Sequence, residues 1–171
     1  MANIIIETER LVLRELTLND AGFILALLNT PGWLTNVGDR NVHTIADAEK
    51  YLQGPIKSYA DYGLGLWAVT LKVGDSAIGL CGLIKRNNLE DIDIGYALFE
   101  EHSGRGYAFE AADAVVKKGF TDFGLKRIVA ITIPQNARSR ALLGKLNFTL
   151  EKEMYMAGDK QLLQLYSLNK Q

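Results

Sequence analysis

Residues 100–116 read EEHSGRGYAFEAADAVV, two glycines one residue apart ahead of a stretch with helical periodicity. The first turn of a helix leaves backbone N–H groups unpaired and carries partial positive charge. A glycine-opened strand-to-helix turn is therefore an anion site, and phosphate fits it. Gly104 and Gly106 let the backbone approach such a ligand without Cβ interference and tolerate positive φ. A tight turn with no ligand needs the same glycines, so the pair alone is a weak signal. Two familiar phosphate turns do not match. A nucleotide P-loop requires Lys-Ser/Thr after its last glycine, where this chain has Tyr107 and Ala108. A dinucleotide turn requires a third glycine or alanine where Phe109 stands, and an acidic residue closing the next strand, which here ends ITIPQ.

Two more groups have types suited to chemistry. Asn136 and Ser139 form N-x-x-S at the head of a helical stretch, where Asn136 caps by accepting from the Ser139 N–H and a hydroxyl sits in the first turn. In LEDIDIGYAL, Glu90, Asp91 and Asp93 offer carboxylates. Strand alternation puts Asp91 and Asp93 on one face, opposite Ile92 and Ile94, which suits a solvated polar face equally well.

The elements that must hold these residues follow from hydrophobic period. RLVLREL alternates as a strand, and LTLNDAGFILALLN reads as a helix capped by Thr17 or Asn19. TIADAEKYLQGPIKSYADYG predicts a second helical region capped by Thr44, with an interruption or kink at Gly54-Pro55. The period then changes to two. LGLWAVTL, SAIGLCGLI and DIDIGYALF, separated by turn compositions, predict an antiparallel meander. Ala108, Ala112, Val115, Val116, Phe120 and Phe123 share one face of the next helix, which Gly124 terminates. RIVAITI is apolar enough for a strand buried on both faces. The helix NARSRALLGKLN follows, then a hairpin of FTLEKEMYM and QLLQLYSLN around AGDK. The order β, α, α, three β, α, β, α, two β calls for an α+β, three-layer α/β/α fold: a mixed, mostly antiparallel sheet of six to seven strands with helices on both faces.

Composition narrows the function classes. At 171 residues the chain suits a single domain over 1–171 with a substantial core. Nineteen basic against twenty acidic residues give a net charge of −1, with no basic field for nucleic acid or an anionic membrane surface. Cys81 is the lone cysteine and, with only His43 and His102 for company, fits neither a disulfide nor a zinc site, so no metal is expected. It reads as a small buried residue. The apolar run Ile4 to Ile6 is too short for a signal peptide or membrane span, and a cytoplasmic protein is expected.

Taken jointly, IDIGYALFEEHSGRGYAFEA followed by IPQNARSRALLGKLNF resembles the GCN5-related N-acetyltransferase (GNAT) family, in the branch typified by ribosomal-protein N-terminal acetyltransferases. The opening ETERLVLRELTLNDA is similar to that branch's first strand and helix, so the resemblance spans almost the whole chain. The family's acyl-CoA motif, Gln/Arg-x-x-Gly-x-Gly/Ala, falls on Glu101 to Gly106; Gly104 and Gly106 match, and Glu101 departs from it. Glu100 stands where the branch often has proline, and Ser103 where it often has a large aromatic residue or arginine.

The resemblance implies an acetyl-CoA-dependent N-acetyltransferase, with acetyl-CoA as co-substrate. The GYALF and RIVAITI strands would splay apart around the pantetheine arm. Leu98 and Phe99 would pair with that arm as an added strand does, Gly104, Arg105, Gly106, Tyr107 and Ala108 would hold the pyrophosphate, and Asn136 would contact the arm. A helix terminus contributes about 0.3–1 kcal/mol per charged group, and micromolar binding requires about 8 kcal/mol, so the arm must contribute as well.

Relatives often carry an acidic residue two positions before the Gly-Tyr pair, which makes Asp93 the candidate base, acting directly or through water. Many use a tyrosine on the last helix, where this chain has Leu143. Ser139 or water is then left to protonate the thiolate, although capping alone accounts equally well for Ser139. Attack would be direct, in a ternary complex without a Cys81 intermediate, with a backbone N–H near Leu98 stabilising the oxyanion. The acceptor would be a protein N-terminus, an amino acid, a polyamine or an antibiotic, and the protein a monomer or homodimer.

The departures at Glu101 and Leu143 keep a second class open, a non-catalytic acyl-CoA- or peptide-binding module. Trp33, in a loop, together with Tyr51, Tyr59 and Tyr62, would face the acceptor. Trp67 reads as core and His102 as a surface-loop residue. Arg138 and Arg140 would meet the CoA 3′-phosphate or sit in solvent.

Overall fold

The computed structural model describes residues 2–171. Two short strands, β1 (Ile4–Glu7) and β2 (Leu11–Arg14), precede three helices, α1 (Ala21–Leu28), α2 (Pro31–Asn36) and α3 (Ile45–Tyr62). The meander β3 (Leu66–Leu71), β4 (Ala77–Ile84) and β5 (Ile92–Leu98) leads into α4 (Tyr107–Thr121). After it come β6 (Arg127–Thr132), α5 (Ala137–Lys145) and the hairpin β7 (Thr149–Tyr155) and β8 (Leu162–Asn169). Among the described residues the strands form one sheet in the order β1-β2-β3-β4-β5-β6-β8-β7. Every neighbouring pair is antiparallel except β5 and β6.

The expected α+β sandwich is present with one strand more than the expected range. The opening segment breaks after Glu7: the Thr8 N–H donates to the Leu11 carbonyl at 2.9 Å, and the chain folds back as the β1–β2 pair. Two further expectations change. The segment after α1, taken as loop, holds α2: the Thr30 hydroxyl accepts from the Trp33 N–H, and Pro31 opens the helix, where its missing N–H costs nothing. α3 runs uninterrupted through Gly54-Pro55. Thr44 and Asp47 form a capping box at its start, and Gly63 closes it in the left-handed conformation at φ 71°.

Strand alternation splits the core in two. Trp67, Val69, Cys81 and Leu83 face α4, with Ala112 and Val115 packed on them. Ala68 and Leu80 face α1 and α3, against Ile24, Leu27 and Leu52. Helices therefore cover both faces, and β3 and β4 are buried on each side.

The meander packs tightly enough to require glycine in β4. A Cβ on Gly82 would lie 2.0 Å from the Gly65 carbonyl oxygen, whereas one on Gly22 in α1 would meet nothing within 4 Å. Gly82→Ala is expected to cost about 1–3 kcal/mol, and Gly22→Ala to stabilise by about 0.5–1 kcal/mol. At roughly 2–4 °C per kcal/mol, melting curves of the two variants should move in opposite directions.

Candidate active site

The parallel pair that joins the two halves of the sheet is short. β5 and β6 are paired at Ile92 with Ile128 and at Asp93 with Val129, while β5 continues to Leu98 paired only with β4. The strands thus splay from Ile94 onward and leave one edge of β5 open. An open edge offers N–H and C=O groups to an extended ligand.

The glycine turn lies at the far end of that edge. Gly104 and Gly106 take φ of 73° and 81°, and Gly106 caps α4. A Cβ at Gly104 would meet nothing within 4 Å, so the space beside the turn is free for a ligand. Arg10, in the β1–β2 turn, braces the arrangement from behind. Its Nη1 donates to the Arg105 carbonyl at 2.9 Å, its guanidinium lies 4.5 Å from the Tyr107 ring centroid, and its Nε pairs with Glu110 at 2.6 Å. Burial would raise the Glu110 carboxyl, but hydrogen bonds from Thr8 and Arg10 together with the Arg10 charge hold it below its ordinary value.

A cavity of 410 Å³ lies between the open end of β5, the glycine turn and α5. Leu98, Gly104, Gly106, Tyr107, Ala108, Asn136 and Ser139 all line it. Phe99 and Arg105 are placed elsewhere. The Phe99 ring packs edge-on against Phe23 with centroids 5.9 Å apart, and the Arg105 carbonyl is held by Arg10. Arg138 lines the cavity and pairs with Glu100 at 2.8 Å, whereas Arg140 donates to the Pro134 carbonyl.

A second cavity, of 500 Å³, meets the first at Tyr96, Ala97, Asn136 and Ser139 and contains Asp93. Asp93 is 1% exposed and does not belong to a solvated face. Arg86 Nε donates to its Oδ2 at 2.7 Å, while Oδ1 is buried without a hydrogen bond. Burial pushes its carboxyl up to about 6, against the Arg86 charge and hydrogen bond; the Ile131 N–H also favours the charged form without meeting hydrogen-bond geometry. Asp91 is drawn away to Arg127, 2.9 Å distant.

Asn136 caps α5 as expected, accepting from the Ser139 N–H at 3.1 Å. The Ser139 hydroxyl meets a residue that periodicity did not single out: Tyr96 Oη lies 2.9 Å from Ser139 Oγ and 3.3 Å from the Ser139 carbonyl oxygen. Burial raises the Tyr96 phenol, which stays protonated. A tyrosine from β5 thus reaches the α5 hydroxyl, although the helix itself has Leu143. Its place in the Gly-Tyr pair was the available signal. By alternation Tyr96 shares the α4 face with Ile94, and Asp93 lies on the opposite face with Ala97.

Trp33 is buried rather than in a loop, lines both cavities and leaves Nε1 without a partner; Trp67 is core and stacks on Phe123. His102 is half-buried and lines the first cavity, with a buried, unpaired Nδ1, rather than standing on the surface. Cys81 is 1% exposed, and burial raises its thiol, so it supplies no thiolate.

A mixed sheet parted beyond one short parallel pairing, with a glycine turn and a helix terminus at the parting, is the architecture of an acetyltransferase. The family model of the acetyltransferase (GNAT) domain matches residues 10–149, and the chain belongs to that family. It is 30% identical over 171 residues to the uncharacterised N-acetyltransferase YoaA of Bacillus subtilis, covering 97% of each chain. It is 31% identical to the uncharacterised N-acetyltransferase p20 of Bacillus licheniformis, over 84% of this chain and 82% of that one. Among solved structures, an acetyltransferase of Agrobacterium tumefaciens superimposes with a TM-score of 0.82 at 27% identity, covering 96% and 94% of the two chains. The ribosomal-protein-S5-alanine acetyltransferase of Vibrio fischeri shares the fold, with a TM-score of 0.81 at 23% identity over 98% and 97%.

Proposed function

We propose that this protein transfers the acetyl group of acetyl-CoA to a primary amine by direct attack in a ternary complex. The observation that supports this most directly is the parting of β5 from β6 after Asp93, which opens one slot with different chemistry on its two sides. The open β5 edge at Leu98 pairs with the pantetheine amides, and the Gly104–Gly106 turn with the α4 N-terminus receives the pyrophosphate. Asn136 and Ala108 complete the wall. Acetyl-CoA supplies the activated acyl group.

Asp93, on the α1–α3 side, takes the proton of the attacking amine; a carboxyl near 6 is ionised at neutral pH yet a better base than an ordinary aspartate. Ser139, on the α4 side, donates its hydroxyl proton to the departing sulfur and recovers it through Tyr96 or water. Its share is modest because a thiol ionises near ~8.5 and leaves readily. A backbone N–H on the open edge near Leu98 stabilises the developing oxyanion.

The Tyr96–Ser139 contact favours an enzyme over a non-catalytic acyl-CoA-binding module, since it supplies the hydroxyl pair that Leu143 leaves missing. Ligand at a hundred times its dissociation constant adds about 2.7 kcal/mol, so saturating acetyl-CoA should raise the melting temperature by roughly 5–10 °C. NADH and ATP should not. A rise with NADH alone, or no rise with acetyl-CoA, would overturn the assignment of the turn. A rise without turnover across a broad amine panel would leave the binding module.

A further inference from the structure

The cavity that holds Asp93 continues past it to two guanidinium groups. Arg40, from the loop after α2, and Arg86, from the turn after β4, line this cavity and also the adjoining 420 Å³ pocket beside α3. Arg86 is held in place through Nε by Asp93, and its two Nη atoms make no hydrogen bond among the described residues. Arg40 has no ion pair among the described residues. Its neighbour Asp39 is engaged instead by His43 at 3.4 Å and by the Asn41 N–H at 2.7 Å.

Charges around the adjoining pocket are unbalanced. Lys57 and Lys85 join the two arginines, and the one carboxylate there, Asp61, is paired with Lys57. Asp159, across the larger cavity on the β7–β8 turn, accepts from the Gln161 N–H. A chain of net charge −1 thus gathers unpaired guanidinium nitrogens where this cavity and the adjoining pocket share their lining.

We propose that the acceptor amine bears a carboxylate within a few bonds of its nitrogen, bound between Arg40 and Arg86 while the amine faces Asp93. Asp93 and Arg86, in contact at 2.7 Å, present a negative and a positive group side by side, the complement of an amine and a carboxylate on one small skeleton. The Arg86 Nη donors make no hydrogen bond among the described residues, and Arg40 adds a second cation to the same cavity. A polyamine would place a second positive charge against the same two arginines, which disfavours that acceptor class. Two sources share the required chemistry: the α-carboxylate of a free amino acid, and the acidic side chain of a peptide that begins with Asp or Glu.

The amine's place beside Asp93 rests on the acetyl-transfer proposal, whereas the anion subsite can be read without turnover. Transfer to free amino acids is compared with transfer to their amides, and transfer to peptides beginning with Asp or Glu with the same peptides beginning with Asn or Gln. Wild type, Arg40→Gln and Arg40→Glu are all assayed, and succinate, which has no amine, is titrated calorimetrically into the CoA-saturated proteins. The carboxylate-bearing member of at least one pair should have a kcat/KM tenfold or more above its amide, mainly through KM. Which pair responds identifies the source. Arg40→Gln should reduce that discrimination about fivefold and Arg40→Glu further, and succinate should bind wild type and lose affinity in the same order. Equal rates for acid and amide in both pairs, or Arg40 variants that slow every acceptor alike, would overturn the subsite. If acetyl-CoA binds but no acceptor turns over, the transfer proposal fails, and the succinate titration still decides: no binding removes the subsite.

Discussion

Asp93→Asn is expected to lower kcat by about 10²–10⁴-fold while acetyl-CoA affinity stays within about twofold, because a positioned base contributes on that scale and Asp93 lines the second cavity, not the one at the Gly104–Gly106 turn. For wild type, kcat/KM should rise with pH through about 6 as Asp93 ionises, and the variant should lack that limb.

Stability supplies a second readout of opposite sign. Between pH 3.8 and about 6 the folded chain holds a proton that the unfolded chain has released, so wild-type stability falls as pH rises through this window. Above it the buried charge costs about 3 kcal/mol. Asparagine has no proton to lose, and Arg86, 32% exposed, can be hydrated in its absence. Asp93→Asn should therefore melt higher than wild type at pH 8, and lose the pH dependence in that window. A variant that keeps its rate would remove Asp93 as the base. One that loses its rate and also melts lower at pH 8 would show that Asp93 acts by holding the fold.

Gly104→Val/Gly106→Val is expected to weaken acetyl-CoA binding by about 30- to 700-fold. Both positions hold positive φ, which costs an L-residue about 1–2 kcal/mol each, or about 2–4 kcal/mol together. Gly104 is exposed and a Cβ there meets nothing, so the free turn can relax to negative φ with little effect on the core. Binding must then restore the strained turn, and the cost falls on Kd rather than on melting temperature. Calorimetric titration of acetyl-CoA checks this. An unchanged Kd would mean that the pyrophosphate is held elsewhere.

The helices legible in the sequence are those closed by local hydrogen bonds. Thr44 with Asp47, and Asn136 with Ser139, cap α3 and α5 where their spacing predicts, because the capping side chain and the N–H that donates to it lie three residues apart. α2 was missed because six residues carry little period, although Thr30-Pro31 is a usable start signal. Tyr96 was passed over because its partner Ser139 is 43 residues away on another element, and Arg10 because Glu110 lies 100 residues on.

By itself the sequence determined the order of the strands and helices apart from β1 and α2, the caps of α3 and α5, and a glycine-opened helix terminus suited to an anion; each depends on period or on hydrogen bonds between near neighbours. Whether a carboxylate on a strand meets water or a guanidinium depends on which strands become its neighbours. That choice belongs to the tertiary structure, which buried Asp93 beside Arg86, brought Tyr96 to Ser139, and parted β5 from β6 after Asp93. The physical reason is that burial and the splay are set by packing between distant segments, whereas hydrophobic period registers only which face of an element is apolar.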